Sequence, residues 1–279
     1  MRREISLIVV LLALVGCGEE KKLPDKVNLT PEQPPEIIIP KQSEPDAVAI
    51  VNRVLAKATD GHPERISKAK AIRLSLAGVI YLNSVGTAAT RKAEAVWPDR
   101  LVQTVRFTTQ GTTTELMIGL RDPVYWLRKR VNGQLQPDQD RPDQKKYAVA
   151  ETRDAIGRFW LPILVPLTDP DAIVFGAKTE MVDGQSLDVI KMAISGSPVY
   201  TLWFEQQSGY LGRIDFTHIE PTGASVEKRF LLTQHKSVNG IIVPMEIGYR
   251  HNILLAETWS VESWEFVDSI PEEAFMPPK

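Results

Sequence analysis

The chain has 279 residues, with 33 Lys and Arg against 35 Asp and Glu, so a net charge of −2 offers no general attraction to nucleic acid. Its 43% hydrophobic content supports a packed core and excludes wholesale disorder.

The chain opens with Met1-Arg2-Arg3 and an apolar run over 5–15, ending in Leu14-Val15-Gly16-Cys17. The run is shorter than the roughly 20 apolar residues that span a bilayer, so residues 1–16 read as an export signal. Leu-Val-Gly-Cys resembles a bacterial lipobox, which implies cleavage before Cys17 and acylation of its thiol. Cys17 is also the only cysteine. A lone thiol is a liability in an exported protein and an asset as an anchor. Each buried acyl methylene contributes about 0.8 kcal/mol, so one chain holds weakly and two or more hold stably. Lipoproteins of this pattern usually carry three. Gly18, not aspartate, follows Cys17. In enteric-type bacteria an aspartate there retains lipoproteins at the inner membrane, so the expectation is an outer-membrane anchor facing the periplasm.

Residues 17–45 form a tether: Pro24, Pro31, Pro34, Pro35, Pro40 and Pro45 stand among Glu, Lys, Asp and Gln. Proline favours extended polyproline II, and the polar composition gives little to bury. Ile37-Ile38-Ile39 is the apolar exception and a candidate to dock on the domain.

The remainder, 46–279, suits a single all-β or α+β domain. Residues 46–58 read as an amphipathic helix with Val51, Val54, Leu55 and Ala58 on one face and Asp46 as its cap. Strands are expected at 69–83, 88–97, 100–110, 112–120 and 124–131, with Asn132-Gly133 as a hairpin turn. A polar loop over 134–144 precedes a second helix over 145–161. The apolar stretch Leu161-Pro162-Ile163-Leu164-Val165-Pro166-Leu167 follows, and its prolines forbid a long regular helix. From 171 onward Asp183-Gly184, Ser195-Gly196, Ser208-Gly209, Thr222-Gly223 and Asn239-Gly240 punctuate an antiparallel meander. Ile214, Phe216 and His218 alternate with Arg213, Asp215 and Thr217, and Ile241, Val243, Met245, Ile247 and Tyr249 give another period-two face. Long strands predict a twisted, curved sheet whose apolar concave face the helices must cover.

Several phrases occur in a telling order: Val96-Trp97-Pro98-Asp99-Arg100-Leu101, Tyr125-Trp126, a mid-chain helix, Ser208-Gly209-Tyr210-Leu211-Gly212-Arg213-Ile214, Val238-Asn239-Gly240-Ile241-Ile242-Val243-Pro244 and Phe275-Met276-Pro277-Pro278. In this the chain resembles the LolA/LolB superfamily of periplasmic lipoprotein carriers and receivers. The resemblance implies an α+β, mainly antiparallel fold: a strongly curved, unclosed half-barrel with helices plugging its concave face. It further implies a cavity for acyl chains. Carriers of this kind use an arginine near the cavity mouth, and no particular arginine of this sequence is singled out for it.

Chemistry-bearing motifs are sparse. His62, His218, His235 and His251 form no HExxH or HxH pattern, so no metal and no cofactor is expected, although His218 and His235 are placed to approach each other on neighbouring strands. No GxSxG elbow or phosphate loop occurs. Ser67-Lys68-Ala69-Lys70 matches SxxK and Ser237-Val238-Asn239 matches SxN, but Lys178-Thr179-Glu180 lacks the glycine of KTG and precedes the SxN. An enzyme is therefore not expected. The candidate cavity wall comprises Trp97, Trp126, Phe159, Trp160, Leu164 and Met245, wide aromatics and adaptable apolar side chains that accept flexible acyl chains. The leading reading is a membrane-anchored binder of a lipid or acylated protein. Its alternative is an envelope scaffold or sensor with the cavity filled, binding a protein partner by its convex face or open edge.

Overall fold

Glu44 precedes the first helix, with Pro45 supplying its fixed φ at the opening position; helix α1 (Pro45–Ala58) thus starts one residue before Asp46, which lies in its first turn. The expected face, Val51, Val54, Leu55 and Ala58, is buried, and Ala47 joins it. The computed structural model describes residues 39–121, 124–137, 144–194, 197–220 and 223–278. The signal, Cys17, the tether to residue 38, the turn at Ser195-Gly196 and Thr222 lie outside the described residues. A short helix, α2 (Glu64–Lys68), takes up Ser67 of the SxxK sequence.

Strands β1 (Ala71–Leu82), β2 (Val85–Val96), β3 (Arg100–Thr109), β4 (Thr112–Arg121), β5 (Val124–Val131) and β6 (Gln134–Leu135) form a first meander. After helix α3 (Gln144–Ala155) come β7 (Ile173–Val182), β8 (Gln185–Ala193), β9 (Tyr200–Glu205), β10 (Leu211–Ile219), β11 (Ser225–Thr233), β12 (Lys236–Val238), β13 (Ile241–Val243), β14 (Glu246–His251) and β15 (Leu254–Phe266). Thirteen of these strands make one antiparallel sheet in the order β6-β5-β4-β3-β2-β1-β15-β14-β11-β10-β9-β8-β7, with β12 and β13 paired apart. Asn132-Gly133, Asp183-Gly184 and Asn239-Gly240 all take positive φ, as tight two-residue hairpins require. The period-two face expected over 241–249 is split: Pro244 ends β13, and Met245 lies between strands, its N–H bonded to the Thr233 carbonyl.

The sheet is rolled. Tyr147 of α3 stacks on Tyr125 of β5 at 5.7 Å, and six residues later the Arg153 carbonyl accepts a bond from the Tyr200 hydroxyl of β9 at 2.7 Å. Laid flat, the nine ladder steps from β5 to β9 would separate those strands by about 43 Å. The helix rises only about 9 Å between the two contacts, so the strands must curl around α3. Bulges in the β1–β15, β14–β15, β9–β10 and β7–β8 pairings supply local twist and bend. Edges β6 and β7 stay unpaired to each other. The result is the unclosed, mainly antiparallel half-barrel that the LolA-like resemblance implies, with its helices on the concave side.

The helix expected over 145–161 is regular only through α3. Its last turn over Ile156–Trp160 widens to π geometry, and 3₁₀ turns follow at Leu161–Ile163 and Val165–Thr168. Between them Leu164 sits in the left-handed region at φ 63°.

Candidate functional site

Residues 156–167 plug the concave face. Phe159, Trp160, Leu161, Ile163 and Val165 are at most 1% exposed and share one continuous core with the inward residues of β1–β3, β8–β11, β14 and β15. The plug lies close against the sheet: a Cβ on Gly157 would stand 2.8 Å from the Phe216 ring and 3.2 Å from Phe230. Only glycine fits there. Beneath it runs an aromatic ladder across neighbouring strands, Tyr200–Phe216 at 4.9 Å, Phe216–Phe230 at 5.9 Å and Phe230–Tyr249 at 4.6 Å. The backbone that carries this plug is a π turn, two 3₁₀ turns and a left-handed leucine. Such conformations persist only where the surroundings hold them.

The sequence-predicted wall divides. Trp97 meets Trp160 edge-on at 5.6 Å and donates its indole N–H to Asp169 at 2.9 Å. Trp97, Phe159, Trp160 and Leu164 belong to the same buried core. Met245 is partly buried at its margin. Trp126 is not on the concave wall. Its neighbours Tyr125 and Leu127 point inward, so Trp126 points outward, where it covers Gly119 and donates to the Phe275 carbonyl at 2.8 Å. There it pins the C-terminal turn Glu272–Phe275 to the outer face, an attachment reinforced by ion pairs from Arg100 and Arg121 to Glu272.

Sequence reasoning missed a second feature of the concave side, a buried ionic network under α3. Asp154 accepts from Lys228 Nζ at 2.5 Å, Arg158 Nε at 3.1 Å and the Tyr249 hydroxyl at 3.3 Å. Glu257 accepts from Arg158 at 2.7 Å, Arg91 at 3.0 Å and the Trp259 indole at 2.6 Å. Arg158, on the plug itself, also lies 4.4 Å from the Tyr249 ring centre. Burial alone would raise the Asp154 carboxyl, but Lys228 and Arg158 outweigh it and hold it well below the usual range. Burial likewise opposes ionisation of Glu257, and Arg158 with Arg91 prevails, lowering it to about 2. Glu151, bonded to Gln103 at 2.7 Å, is pushed up to about 7 by burial and then by Asp154. Burial, then Lys228, lowers both His218 and His251 to about 4, so both are neutral at pH 7.

Not every polar group in this chamber is satisfied. Arg91 Nε, Gln103 Oε1, His218 Nδ1, Glu220 Oε1 and His251 Nε2 are buried without a hydrogen-bond partner among the described residues. Buried orphans of this kind carry a cost and mark places where a water or a ligand's polar group is favoured. His218 pairs in space with His251 rather than with His235, whose ring meets Tyr210 and the Leu211 carbonyl instead. Among the described residues no group of three or more His, Cys, Asp and Glu is arranged to hold a metal ion. Nor is any described helix long and apolar enough to cross a membrane.

No known protein family and no curated protein matches the sequence. Among solved structures, the chain is similar to a putative outer membrane lipoprotein-sorting protein domain from Vibrio parahaemolyticus, at 10% identity and a TM-score of 0.42, over 82% of this chain and 95% of that one. It is similar to a LolA superfamily protein from Nitrosomonas europaea, at 10% identity and a TM-score of 0.44, over 81% and 97%. A DUF1329 family protein from Desulfovibrio piger aligns at 8% identity and a TM-score of 0.43, over 83% and 97%. At these values the likeness is one of outline.

Proposed function

We propose that this chain is a bacterial envelope lipoprotein, anchored to the outer membrane through acyl chains on Cys17. Its half-barrel takes up the apolar chain of a lipid or acylated protein, in lipid or lipoprotein trafficking. The observation that supports this most is the plug. An almost wholly apolar segment lies inside an unclosed sheet on strained, irregular backbone, tied down at one charged residue, Arg158. Displacing it would expose the aromatic ladder and the inward face of β1–β3. An acyl chain could then replace the lost burial at about 25 cal/mol per Å² of apolar area. The orphaned polar atoms of the ionic chamber suit the ligand's polar end. The reading is non-enzymatic: Asp154, Glu257, Arg91, Arg158 and Lys228 are spent on one another in ion pairs, which leaves Glu151 and two neutral histidines beside them for the ligand's polar end.

The test combines uptake of a fluorescent fatty acid with amide hydrogen exchange on the intact chain. Uptake near one per chain, with faster exchange confined to 156–167, is the expected result. Absence of uptake, with those amides exchanging only on global unfolding, overturns it. That outcome would favour the second reading, a scaffold whose concave face is permanently filled, for which the near-complete burial of 156–167 speaks.

A further inference from the structure

The strand ends are not alike. In sheet order β2-β1-β15-β14-β11-β10, three hairpins stand side by side at one end of the half-barrel. Their tips carry large apolar side chains facing water: Val85 at 65% exposure, Ile253 at 88%, Leu254 at 56% and Ile219 at 53%. Two of these tips are also free of formal charge, with no Lys, Arg, Asp or Glu over 82–90 or over 252–256. At the opposite end the turns carry Asp99 and Asp183. Isolated exposed apolar residues need no explanation, but a contiguous row of them on neighbouring tips does.

The path of the N-terminal segment gives the row a direction. The chain joins the domain beside the start of β7: Glu44 donates to the Val174 carbonyl at 2.9 Å, and Val174 donates to Ser43 Oγ at 3.1 Å. The start of β7 lies at the same end as the apolar tips, because Ile173 pairs with the last residue of β8 and the β7–β8 turn lies at the other end. From there α1 runs away, ending where Lys57 donates to the Gln206 and Gln207 carbonyls at 3.0 and 2.8 Å. Ser43 and Glu44 therefore join the domain at the end that presents the tips.

We infer that this row of hairpins is a membrane-docking surface, and that its partner is the lipid bilayer to which the chain is anchored. The inference rests on the anchored reading given above. As polyproline II, the 26 steps from Cys17 to Ser43 reach about 80 Å, so the anchor by itself leaves the domain free to turn. What the anchor supplies is a high local concentration of bilayer, under which even a weakly apolar contact is populated. The two uncharged tips, bearing Val85, Ile253 and Leu254, enter the headgroup region without desolvating a charge, while Ile219 lies at its margin beside Glu220. Docked this way, the end of the concave chamber nearest His218 and His251 faces the lipid, and an acyl chain passes between bilayer and plug without crossing open water.

The absence of any other cysteine makes the test direct. Single variants Ile253→Cys, Val85→Cys and Met181→Cys are labelled with an environment-sensitive fluorophore and reconstituted as the full anchored chain in phosphatidylethanolamine–phosphatidylglycerol vesicles. Met181 is an exposed apolar residue at the opposite end, 67% exposed, and serves as the comparison. Labels at 253 and 85 are expected to shift to the blue and to resist an aqueous quencher about tenfold better than the label at 181. Equal quenching at all three positions on vesicle-bound chain overturns the inference. So does protection at 253 that is the same without lipid and rises with protein concentration, which would mean a protein contact. The anchor has its own readout, the acyl mass on Cys17. If that mass is missing, the same labels are followed in a Cys17→Ser background at rising vesicle concentration, where protection at 253 supports the docking surface and its absence refutes it.

Discussion

The concave side of the half-barrel is filled in two different ways. Toward Trp97 the filling is apolar: Trp160, Leu161, Ile163 and Val165 pack against inward side chains of the sheet and of Trp97. Under α3 it is ionic, with Asp154 and Glu257 shared among Arg91, Arg158 and Lys228. The apolar part is stabilised by many small contacts, so its losses are graded with the volume removed. In the ionic part each group is tolerated only because its partners are present. Segment 156–167 joins the two, since its own Arg158 reaches both carboxylates. Releasing the plug thus means giving up apolar burial and breaking a charge network in one motion.

The largest effect should come from the ionic part. Asp154→Ala strands Lys228 and part of Arg158, and should cost about 5 kcal/mol in urea unfolding. Trp160→Ala, in the apolar part, should cost about 4 kcal/mol. The signature lies in the double variants. Lys228→Met should restore much of the stability lost in Asp154→Ala, because it removes the stranded charge, whereas Lys228→Met and Trp160→Ala should add. Additive costs for Asp154 and Lys228 would erase the distinction between the two parts.

What was readable from sequence follows the same division. The meander was legible because strand alternation and turn chemistry are local: Asn132-Gly133 and Asp183-Gly184 could hardly be anything but hairpins, and Phe216 and His218 face inward as their spacing required. The plug was legible from Pro162 and Pro166, which break a helix inside an apolar run. The ionic network was not. In β2 the adjacent cations Arg91 and Lys92 give no sign of which one faces inward, and Lys228 stands beside Arg229 in the same way. Their partners Asp154 and Glu257 lie far off in sequence, so only the rolled sheet brings the charges together. Trp126 failed for a related reason: in Tyr125-Trp126 either aromatic could be the inward one, and the choice is made by Gly119 and Phe275 on the outer face.

The next effect is pH dependence, and it should also come from the ionic part. His218 and His251 titrate near 4 when folded and near 6.5 when unfolded, so the folded state resists protonation. Their contribution is complete above about pH 6.5 and is lost as pH falls toward 4, about 3 kcal/mol for His218, whose side chain is buried, and less for His251, whose surface is partly exposed. Glu151 runs the opposite way: its folded carboxyl holds its proton up to about 7, so its contribution is present below pH 4.5 and fades as pH rises to 7. Glu151 keeps partial solvent contact, which reduces that offset. Net stability should therefore fall between pH 6.5 and 4. Below 4.5 it should fall further, as Glu257 loses its depressed-pKa contribution on the way to about 2. His218→Phe should flatten the slope between pH 6.5 and 4 by more than half, since His218 is the larger contributor and Glu151 opposes the rest. A variant as steep as the parent would place the titration elsewhere.

The smallest effect tests the boundary of the site. Trp126→Phe deletes the N–H bond to the Phe275 carbonyl while keeping an aromatic ring over Gly119. The loss should be about 1 kcal/mol, the net worth of a single buried hydrogen bond. Because this bond lies on the outer face, exchange should quicken at the C-terminal turn Glu272–Phe275 and remain unchanged over 156–167. Acyl uptake should be unaffected. Faster exchange in the plug would mean that the two faces of the sheet communicate through β4 and β5. The half-barrel would then have to be treated as one cooperative shell, in which the C-terminal turn helps to keep the concave face closed.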